Sequence, residues 1–217
     1  MVKLAVQLDF DGTITEEDVS FLLLDTFASG DWRKYLAEYT ARKMTVSAFS
    51  KKVFSLITAD EKTLTDFVLN SPGAKTRRGL WELMDYCKRK SVKVVIVSNG
   101  LEFYIKAILD KKRITGVDVH AAESVFSPSG MQVRYIGPDG KELDDGFKEA
   151  YTDELCRQGY QVIYIGDGPS DIYSARKVKN VCATGQLLKL CQSEDLNWHP
   201  FEDFLDVVKV VRRIVTD

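Results

Sequence analysis

Two pairs of aspartates are the first candidates for chemistry in this chain of 217 residues. Asp9 and Asp11 flank a phenylalanine directly after a short apolar segment, and Asp167 and Asp171 belong to a glycine-containing cluster much later in the chain. Carboxylates at such short spacing repel each other unless a cation or a proton neutralises them. Four carboxylates in a chain with two histidines favour Mg²⁺, which prefers oxygen ligands, over zinc. The alternative is that each pair only caps a turn of the backbone.

A Ser-Asn-Gly sequence at Ser98, Asn99 and Gly100 is a candidate phosphate-binding segment. It follows a strongly apolar segment and precedes a helical pattern. Its hydroxyl and backbone N–H groups would therefore lie at a helix N-terminus, where anions bind. The same residues also suit an ordinary helix N-cap in a tight turn.

Lys148 is a candidate only if the site needs a fixed positive charge opposite a phosphate. A lysine is usually a solvated surface residue. Lys141 and Lys179 are the obvious alternatives for the same role.

Short apolar segments alternate with amphipathic helical patterns along most of the chain. Strands are predicted over residues 3–8, 92–97, 117–121, 161–165 and 181–183. Helices are predicted over residues 80–90, 101–111, 147–158, 172–178 and 201–215. This alternation predicts an α/β fold, a doubly wound, Rossmann-like parallel sheet with helices on both faces. Three of the strands end at the polar clusters described above, and ligands bind at the carboxyl ends of strands in such sheets.

Residues 14–73 interrupt this alternation. They contain helical patterns over residues 19–28, 32–40, 46–57 and 62–69 and no convincing strand, and a Ser-Pro-Gly sequence ends them. We predict a small all-helical cap domain at residues 14–73, inserted in an α/β core domain of residues 1–13 and 74–217. Ordinary crossover helices are the alternative, but one crossover needs only one helix. Residues 131–141 predict a β-hairpin with a Pro-Asp-Gly turn.

Charge and hydropathy limit the partners that this chain would have. Thirty basic and thirty-two acidic residues give a formal net charge of −2, which argues against a nucleic-acid partner. No apolar run reaches the ~18 residues needed to span a bilayer, and Asp9 interrupts any signal-peptide core. We therefore expect a cytoplasmic protein without a nucleic-acid or membrane partner. Its expected partner is a small-molecule substrate, and the oligomeric state is left open between a monomer and a homodimer.

Four groups of residues resemble, in order, the four motifs of the haloacid dehalogenase superfamily: Asp9-Phe10-Asp11-Gly12-Thr13, Ser98, Lys148, and Gly166-Asp167-Gly168-x-Ser170-Asp171. The resemblance spans nearly the whole chain, and the inserted helices are similar to the cap of the phosphoserine phosphatase-like branch. It implies a Mg²⁺-dependent phosphatase that acts on a small phosphomonoester of the phosphoserine or methionine-salvage type. Hydrolysis would pass through an aspartyl-phosphate intermediate.

The resemblance also implies a role for each motif residue. Asp9 would be the nucleophile, and Asp11 would protonate the leaving alcohol and then activate water. Ser98 and Lys148 would hold the oxygens of the transferring phosphoryl group. One group can serve as acid and then as base only if its pKa is raised, which neighbouring carboxylates would favour.

The implied metal ligands come from both acidic pairs. Mg²⁺ would be bound by the carboxylates of Asp9 and Asp167 and by the backbone carbonyl of Asp11, with Asp171 in support. A phosphomonoester dianion repels a carboxylate nucleophile. Mg²⁺ and a lysine would therefore have to offset that charge before attack.

Residues outside the motifs bear on substrate choice. Asp18 stands where the resemblance places an acidic substrate-binding residue, although a helix N-terminus would favour an acid there as well. Lys52 is a candidate basic contact in the cap, with a solvated lysine as the alternative. Asn99 departs from the Ser-Gly-Gly of similar enzymes, and its side chain would narrow the space beside the phosphate.

Two other functions are compatible with the same residues. One is a phosphotransferase that moves the phosphoryl group to another alcohol instead of water. The other is a non-hydrolytic receiver-type or phosphate-binding module, which also uses an acidic cluster and a lysine on a doubly wound sheet. Receiver domains do not carry an acid two residues after the phosphoacceptor, so Asp11 argues against that alternative.

Overall fold

The computed structural model describes residues 3–216, and their strands form one seven-stranded sheet. In chain order the strands are β1 (Lys3–Leu8), β2 (Lys93–Leu101), β3 (Asp118–Val125), β4 (Gln132–Arg134), β5 (Tyr160–Gly166), β6 (Asn180–Ala183) and β7 (Trp198–Pro200). The spatial order is β4-β3-β2-β1-β5-β6-β7. All the pairings are parallel except that of β3 with β4. The predicted α/β, Rossmann-like fold is confirmed.

The centre of the sheet brings the ends of β1 and β5 together beside β2. Leu8 at the end of β1 lies beside Ile96 of β2 on one side and Ile165 of β5 on the other. The side chains of β1 from Ala5 to Leu8 are buried, as expected for a strand covered on both faces. Residues that follow β1 and β5 must therefore lie close together.

The helices outside residues 14–73 are α5 (Leu80–Arg89), α6 (Glu102–Lys111), α7 (Phe147–Arg157), α8 (Ile172–Ala175), α9 (Gly185–Ser193) and α10 (Phe204–Thr216). All of them except α5 come after a strand. Helix α5 packs on α10, and α7 packs on β5. No helix within residues 3–216 is long and apolar enough to cross a membrane.

Four helices lie between β1 and β2 before α5, where helices and no strand were predicted. They are α1 (Val19–Phe27), α2 (Arg33–Thr40), α3 (Val46–Phe54) and α4 (Glu61–Asn70). The first, third and fourth begin at Asp18, Thr45 and Asp60, whose side chains each accept a hydrogen bond from the backbone three residues on. An antiparallel bridge joins Thr15 to Thr76 where the chain enters and leaves this segment.

The hydrophobic core is continuous from the sheet into the inserted helices. Buried Leu23, Val53 and Leu64 of α1, α3 and α4 belong to the same packed cluster as Val6 of β1 and Ile105 of α6. The division into two domains stays a prediction.

The structure corrects several predicted boundaries. Helix α8 ends at Ala175 instead of Val178, because its last turns tighten to i→i−3 hydrogen bonds such as that from Lys177 N to Ser174 O. Helix α10 begins at Phe204 instead of 201, since the Asp203 carboxylate accepts from Leu205 N at 2.8 Å and caps it there. The predicted 131–141 hairpin has β4 paired with β3, and a single bridge from Ile136 to Glu142 closes its turn.

Helix α9 and strand β7 were not predicted. Strand β7 has only three residues, none of them fully buried, and it exists because Cys182 of β6 pairs with His199. A strand of this length has no periodicity to detect, so only its neighbour defines it.

Candidate active site

Asp9 continues β1 past its last residue. Its backbone N–H donates to the Ile165 carbonyl at 2.9 Å, so the residue stays in line with β5. Its side chain is 7% exposed. Lys148 Nζ lies 2.8 Å from Asp9 Oδ1. Burial, with the Asp171 charge added to it, raises the pKa of Asp9 well above its usual value. A carboxylate that is buried and lies near another negative charge needs a cation to remain ionised.

Lys148 is a buried cation, not a solvated lysine. It lies in the first turn of α7, its side chain is 3% exposed, and Nζ contacts Asp171 Oδ1 at 2.7 Å as well as Asp9. Burial lowers its pKa, but the charges of Asp171 and Asp9 outweigh burial and raise the pKa overall. The alternatives Lys141 and Lys179 are exposed, and Lys141 pairs with Asp139.

Asp171 is fully buried and accepts hydrogen bonds from several donors. Its Oδ2 accepts from the backbone N–H groups of Asp167 and Gly168 at 3.1 and 2.9 Å. Its Oδ1 accepts from Tyr164 Oη at 2.5 Å and from Lys148. The carboxylate therefore ties the loop after β5 to the cationic centre.

Asp9, Asp167 and Asp171 form the one group of potential metal ligands found within residues 3–216, each offering an oxygen within 4.8 Å of the others. Thr13 Oγ1 donates to Asp167 Oδ1 at 2.7 Å. Burial, followed by the Asp171 charge, raises the pKa of Asp167 to about 6. Three carboxylates with a single lysine carry excess negative charge, and their oxygens are a donor set that fits Mg²⁺.

The carboxylate of Asp11 points away from this group. Its Oδ1 accepts from Val19 N at 3.1 Å and its Oδ2 from Tyr104 Oη at 2.5 Å. Burial, and then the neighbouring Asp18 charge, raises the pKa of Asp11 well above its usual value. Its predicted metal contact through the backbone carbonyl stays a prediction.

The prediction that a helix begins at Ser98, Asn99 and Gly100 is wrong, although all three residues line a cavity beside the carboxylates. Strand β2 continues to Leu101, and α6 begins at Glu102, so these residues do not form the first turn of a helix. The reason is a register shift against β3 between Val97 and Leu101, which lets the strand run past the predicted end. Ser98 Oγ accepts from Gly100 N at 3.0 Å, and Asn99 Oδ1 is buried without a hydrogen-bond partner.

Asp18 caps α1 by accepting from Phe21 N at 2.9 Å, so the helix-end interpretation is confirmed. The residue also lines the cavity, and burial raises its pKa to about 6. Lys52 is exposed, its Nζ lies 5.0 Å from the centre of the Tyr35 ring, and it is not among the described residues that line the cavity.

A cavity of about 510 Å³ joins these residues to the inserted helices. One wall consists of residues near the strand ends, such as Asp9, Asp11, Ser98 and Asp167, together with Lys148 from the first turn of α7. The facing wall is mainly apolar and aromatic and comes from α1, α2 and α3: Phe21, Leu24, Leu36, Tyr39, Val46, Phe49 and Phe54. Lys148 is the sole lysine or arginine among the described residues that line it.

Sequence reasoning missed Arg77 and Tyr104, which hold these groups in place. Arg77 donates to the carbonyls of Gly12 and Thr13 at 2.8 and 3.1 Å and so clamps the turn after β1. Gly12 has φ +72°, and a Cβ there would overlap the Asp167 carboxylate. The one sequence signal for Tyr104 was an aromatic residue with a hydroxyl group in the first turn of the helix that was predicted after the strand at residues 92–97.

The comparisons with known proteins agree with this fold and site. A model of haloacid dehalogenase-like hydrolases matches residues 6–176, and the chain belongs to that family. It is 31% identical to the 2-hydroxy-3-keto-5-methylthiopentenyl-1-phosphate phosphatase of Geobacillus thermodenitrificans, over 98% of this chain and 97% of that protein. It is 25% identical to the protein of the same name in Bacillus pumilus, over 95% and 90%.

Solved structures of phosphoserine phosphatase have the same fold. A phospho-aspartyl intermediate analogue of that enzyme has a TM-score of 0.68 and 18% identity, covering 97% of this chain and 99% of its own. A substrate-bound complex has a TM-score of 0.69 and 16% identity over the same shares. The prediction of an enzyme of the haloacid dehalogenase-like phosphatase type is confirmed.

Proposed function

We propose that this enzyme hydrolyses a small phosphomonoester through a phosphorylated Asp9, in a Mg²⁺-dependent reaction. The observation that carries the proposal is the buried contact of Lys148 with Asp9 and Asp171 at the floor of the cavity. A nucleophile held beside a fixed cation suits attack on a dianionic phosphate, because the cation offsets the repulsion between the two.

The proposed reaction has two steps. In the first, an oxygen of Asp9 forms a bond to phosphorus, the bond from phosphorus to the ester oxygen breaks, and Asp11 gives its proton to the departing alcohol. In the second, Asp11 takes a proton from a water molecule whose oxygen attacks the phosphorus and releases phosphate from Asp9. Lys148 and Ser98 hold the phosphoryl oxygens in both steps. Asn99 and Gly100 line the space beside the phosphate.

The oxygens of Asp9 and Asp167 and the backbone carbonyl of Asp11 would hold Mg²⁺. Asp171 would support these ligands, since its oxygens already accept hydrogen bonds from Lys148, Tyr164 and the loop backbone. When bound, the ion offsets the charge of the phosphate and of the carboxylates. Burial, and then the Asp171 charge, raises the pKa of both Asp9 and Asp167, so a bound cation would favour the ionised form of these carboxylates.

Residues 14–73 act in this proposal as a cap domain over the core of residues 1–13 and 74–217, and the cap selects the substrate. Its apolar cavity wall favours an ester with an uncharged, partly apolar chain, since Lys148 is the one lysine or arginine among the described lining residues. The ester named for the Geobacillus relative has such a chain.

Phosphoserine is the second candidate substrate. Asp18, on the cavity wall with its pKa at about 6, is suited to an ammonium group. The substrate's carboxylate would, however, have no cationic side chain apart from Lys148 among the described lining residues. A cytoplasmic location, a monomer or homodimer and the absence of nucleic-acid and membrane partners stay predictions.

The test is phosphate release from a panel of phosphomonoesters with and without Mg²⁺. The panel contains the methylthiopentenyl ester, phosphoserine, phosphoethanolamine, sugar phosphates and pyridoxal phosphate, and Asp9→Asn is the blank. We expect Mg²⁺-dependent release that Asp9→Asn abolishes while its far-UV circular dichroism stays unchanged. Appreciable turnover by Asp9→Asn would remove Asp9 as the nucleophile. A phosphorylated acceptor without free phosphate would indicate transfer to another alcohol.

A further inference from the structure

The hydroxyl of Tyr104 connects Asp11 to the inserted helices. Tyr104 lies in the first turn of α6 and is fully buried. Its Oη donates to Asp11 Oδ2 at 2.5 Å and lies 2.9 Å from Ser20 Oγ on α1. A phenol has one proton to donate, so when Asp11 accepts it the Ser20 hydroxyl must be the donor to Tyr104. The hydrogen bonds therefore run from Ser20 to Tyr104 to Asp11.

The two oxygens of Asp11 have separate donors on separate elements. Val19 N, in the first turn of α1, reaches Oδ1 at 3.1 Å, while Tyr104 reaches Oδ2. One donor on each oxygen fixes both the position and the rotation of the carboxyl plane. Removing the phenol would leave that plane held at one oxygen only.

Gly100 makes the contact between Tyr104 and Asp11 possible. A Cβ built at Gly100 would overlap both the Tyr104 hydroxyl and Asp11 Oδ2. Any side chain there would displace the phenol or the carboxylate. The absence of a side chain at this position thus serves a hydrogen bond between residues that lie 93 apart in the sequence.

We propose that Tyr104 is a positioning residue whose hydroxyl orients the Asp11 carboxyl group for proton transfer to the departing alcohol. The inference rests on the proposed function, because it takes Asp11 as the proton donor of the first step. Tyr104 is not among the described residues that line the cavity, so it acts through Asp11 and not by touching the substrate.

This role predicts a dependence on the leaving group. An alkoxide is a strong base and needs a proton as its bond to phosphorus breaks, whereas 4-nitrophenolate is a weak base and departs without one. The ratio kcat/KM covers the steps up to release of the alcohol. A misplaced Asp11 therefore lowers kcat/KM for an alkyl ester and spares that for the nitrophenyl ester. A general loss of structure would lower both.

The experiment compares n-butyl phosphate with 4-nitrophenyl phosphate for the wild-type enzyme and Tyr104→Phe. For Tyr104→Phe we expect kcat/KM for n-butyl phosphate to fall on the order of tenfold, a part of the ~10²–10⁴-fold that general acid catalysis supplies. The value for 4-nitrophenyl phosphate should stay within about twofold of wild type, which also shows that the variant is folded.

Two further variants are the controls. Asp11→Asn should show a larger selective loss in the same direction. Tyr151→Phe loses a hydroxyl of the same kind, which donates to Ile136 O at 2.9 Å outside the cavity, and should leave both values unchanged. Equal losses on the two esters, or no loss on either, in Tyr104→Phe would overturn the proposal while the proposed function stands. An Asp11→Asn variant without selectivity would remove Asp11 as the proton donor, and would overturn the first step of the proposed function and this inference with it.

Discussion

At the scale of the residue, Lys148 shows how burial changes what a side chain can do. A solvated lysine is a mobile charge screened by water, whereas Lys148 is 3% exposed and held at 2.8 and 2.7 Å by two carboxylates. In such surroundings its charge acts at short range with little screening. The same burial makes each of its partners dependent on it, because an unpaired carboxylate at this depth is costly.

Lys148→Ala is expected to lower the rate on the order of 10²-fold or more, since a preorganised cation at the phosphoryl group is lost. It should also destabilise the protein by about 3–5 kcal/mol without Mg²⁺, because Asp9 and Asp171 lose their buried partner. Steady-state kinetics and urea unfolding measure the two effects. Lys141→Ala, at an exposed lysine, is the control and should change neither. A wild-type rate for Lys148→Ala would assign the role to another group.

Asp18 predicts a pH dependence of stability. Burial raises its pKa from 3.8 to about 6 in the folded protein, so the folded state holds this proton more tightly than the unfolded chain. Its contribution to stability is therefore fully present below pH 3.8, falls as the pH rises, and is lost above about pH 6. Asp18→Asn keeps an N-cap residue but removes the titration.

The free energy of unfolding should consequently fall less steeply between pH 4 and pH 6 in Asp18→Asn than in the wild type. We expect a difference on the order of 2 kcal/mol across that window, after allowance for partial solvent contact. Urea unfolding in EDTA at several pH values measures it, and Asp139→Asn, at an exposed aspartate in an ion pair, is the control. Parallel pH profiles for Asp18→Asn and wild type would contradict the assignment.

At the scale of the element, the loop between β5 and α8 is a small structure organised by one carboxylate. Asp171 accepts from the backbone of Asp167 and Gly168, so the loop is closed on itself before any ligand binds. Thr13, from the turn after β1, fixes the Asp167 carboxylate from the other side at 2.7 Å. The proposed ligands on two elements are thus preorganised, which would lower the cost of binding an ion.

Mg²⁺ is expected to raise the melting temperature of the wild-type protein by about 5–10 °C at 100 times its Kd, since it binds the folded state alone. Asp167→Asn should remove most of this shift. Differential scanning calorimetry in Mg²⁺ and in Na⁺ of equal ionic strength measures the effect of the ion apart from screening. Asp153→Asn, an exposed aspartate paired with Lys177, is the matched control and should keep the full shift. An undiminished shift in Asp167→Asn would place the ion elsewhere.

At the scale of the whole molecule, the inserted helices and the sheet share one hydrophobic core and enclose one cavity. The segment enters and leaves at adjacent points, where Thr15 bridges Thr76 and Arg77 N donates to Ile14 O at 2.9 Å. A shared core couples the stability of the two parts, because neither can lose its packing without exposing apolar surface of the other.

We therefore expect the inserted helices and the sheet to unfold in one cooperative transition. Trp32 is buried among the inserted helices, at 3% exposure, whereas Trp81 and Trp198 lie outside them. Urea unfolding of Trp81→Phe/Trp198→Phe, followed by Trp32 fluorescence and by far-UV circular dichroism, should give coincident curves. The fluorescence of Trp32→Phe reports on Trp81 and Trp198 instead. Its unfolding midpoint should equal that of the double variant once the stability lost through the Trp32→Phe substitution itself is subtracted. Separate midpoints for the two probes would show independent domains.

The sequence by itself determined the class of fold and the chemical groups. Continuous apolar strands, such as Lys3–Leu8, and the helical patterns between them depend on local periodicity, which each segment carries without its neighbours. The acidic pairs, Asp9 with Asp11 and Asp167 with Asp171, could likewise be identified from the sequence, because the members of each pair are close neighbours along the chain. Helices and no strand were correctly predicted between Val19 and Asn70.

The tertiary structure alone decided which of these groups meet. It distinguished Lys148 from Lys141 and Lys179 by burial, carried β2 past Ser98, and brought Tyr104 to Asp11. It also turned the Asp11 carboxylate away from the three carboxylates that form the group of potential metal ligands. Contacts between residues 93 or more positions apart form only when the strands pair and the inserted helices pack on the sheet. Local sequence patterns do not encode that packing.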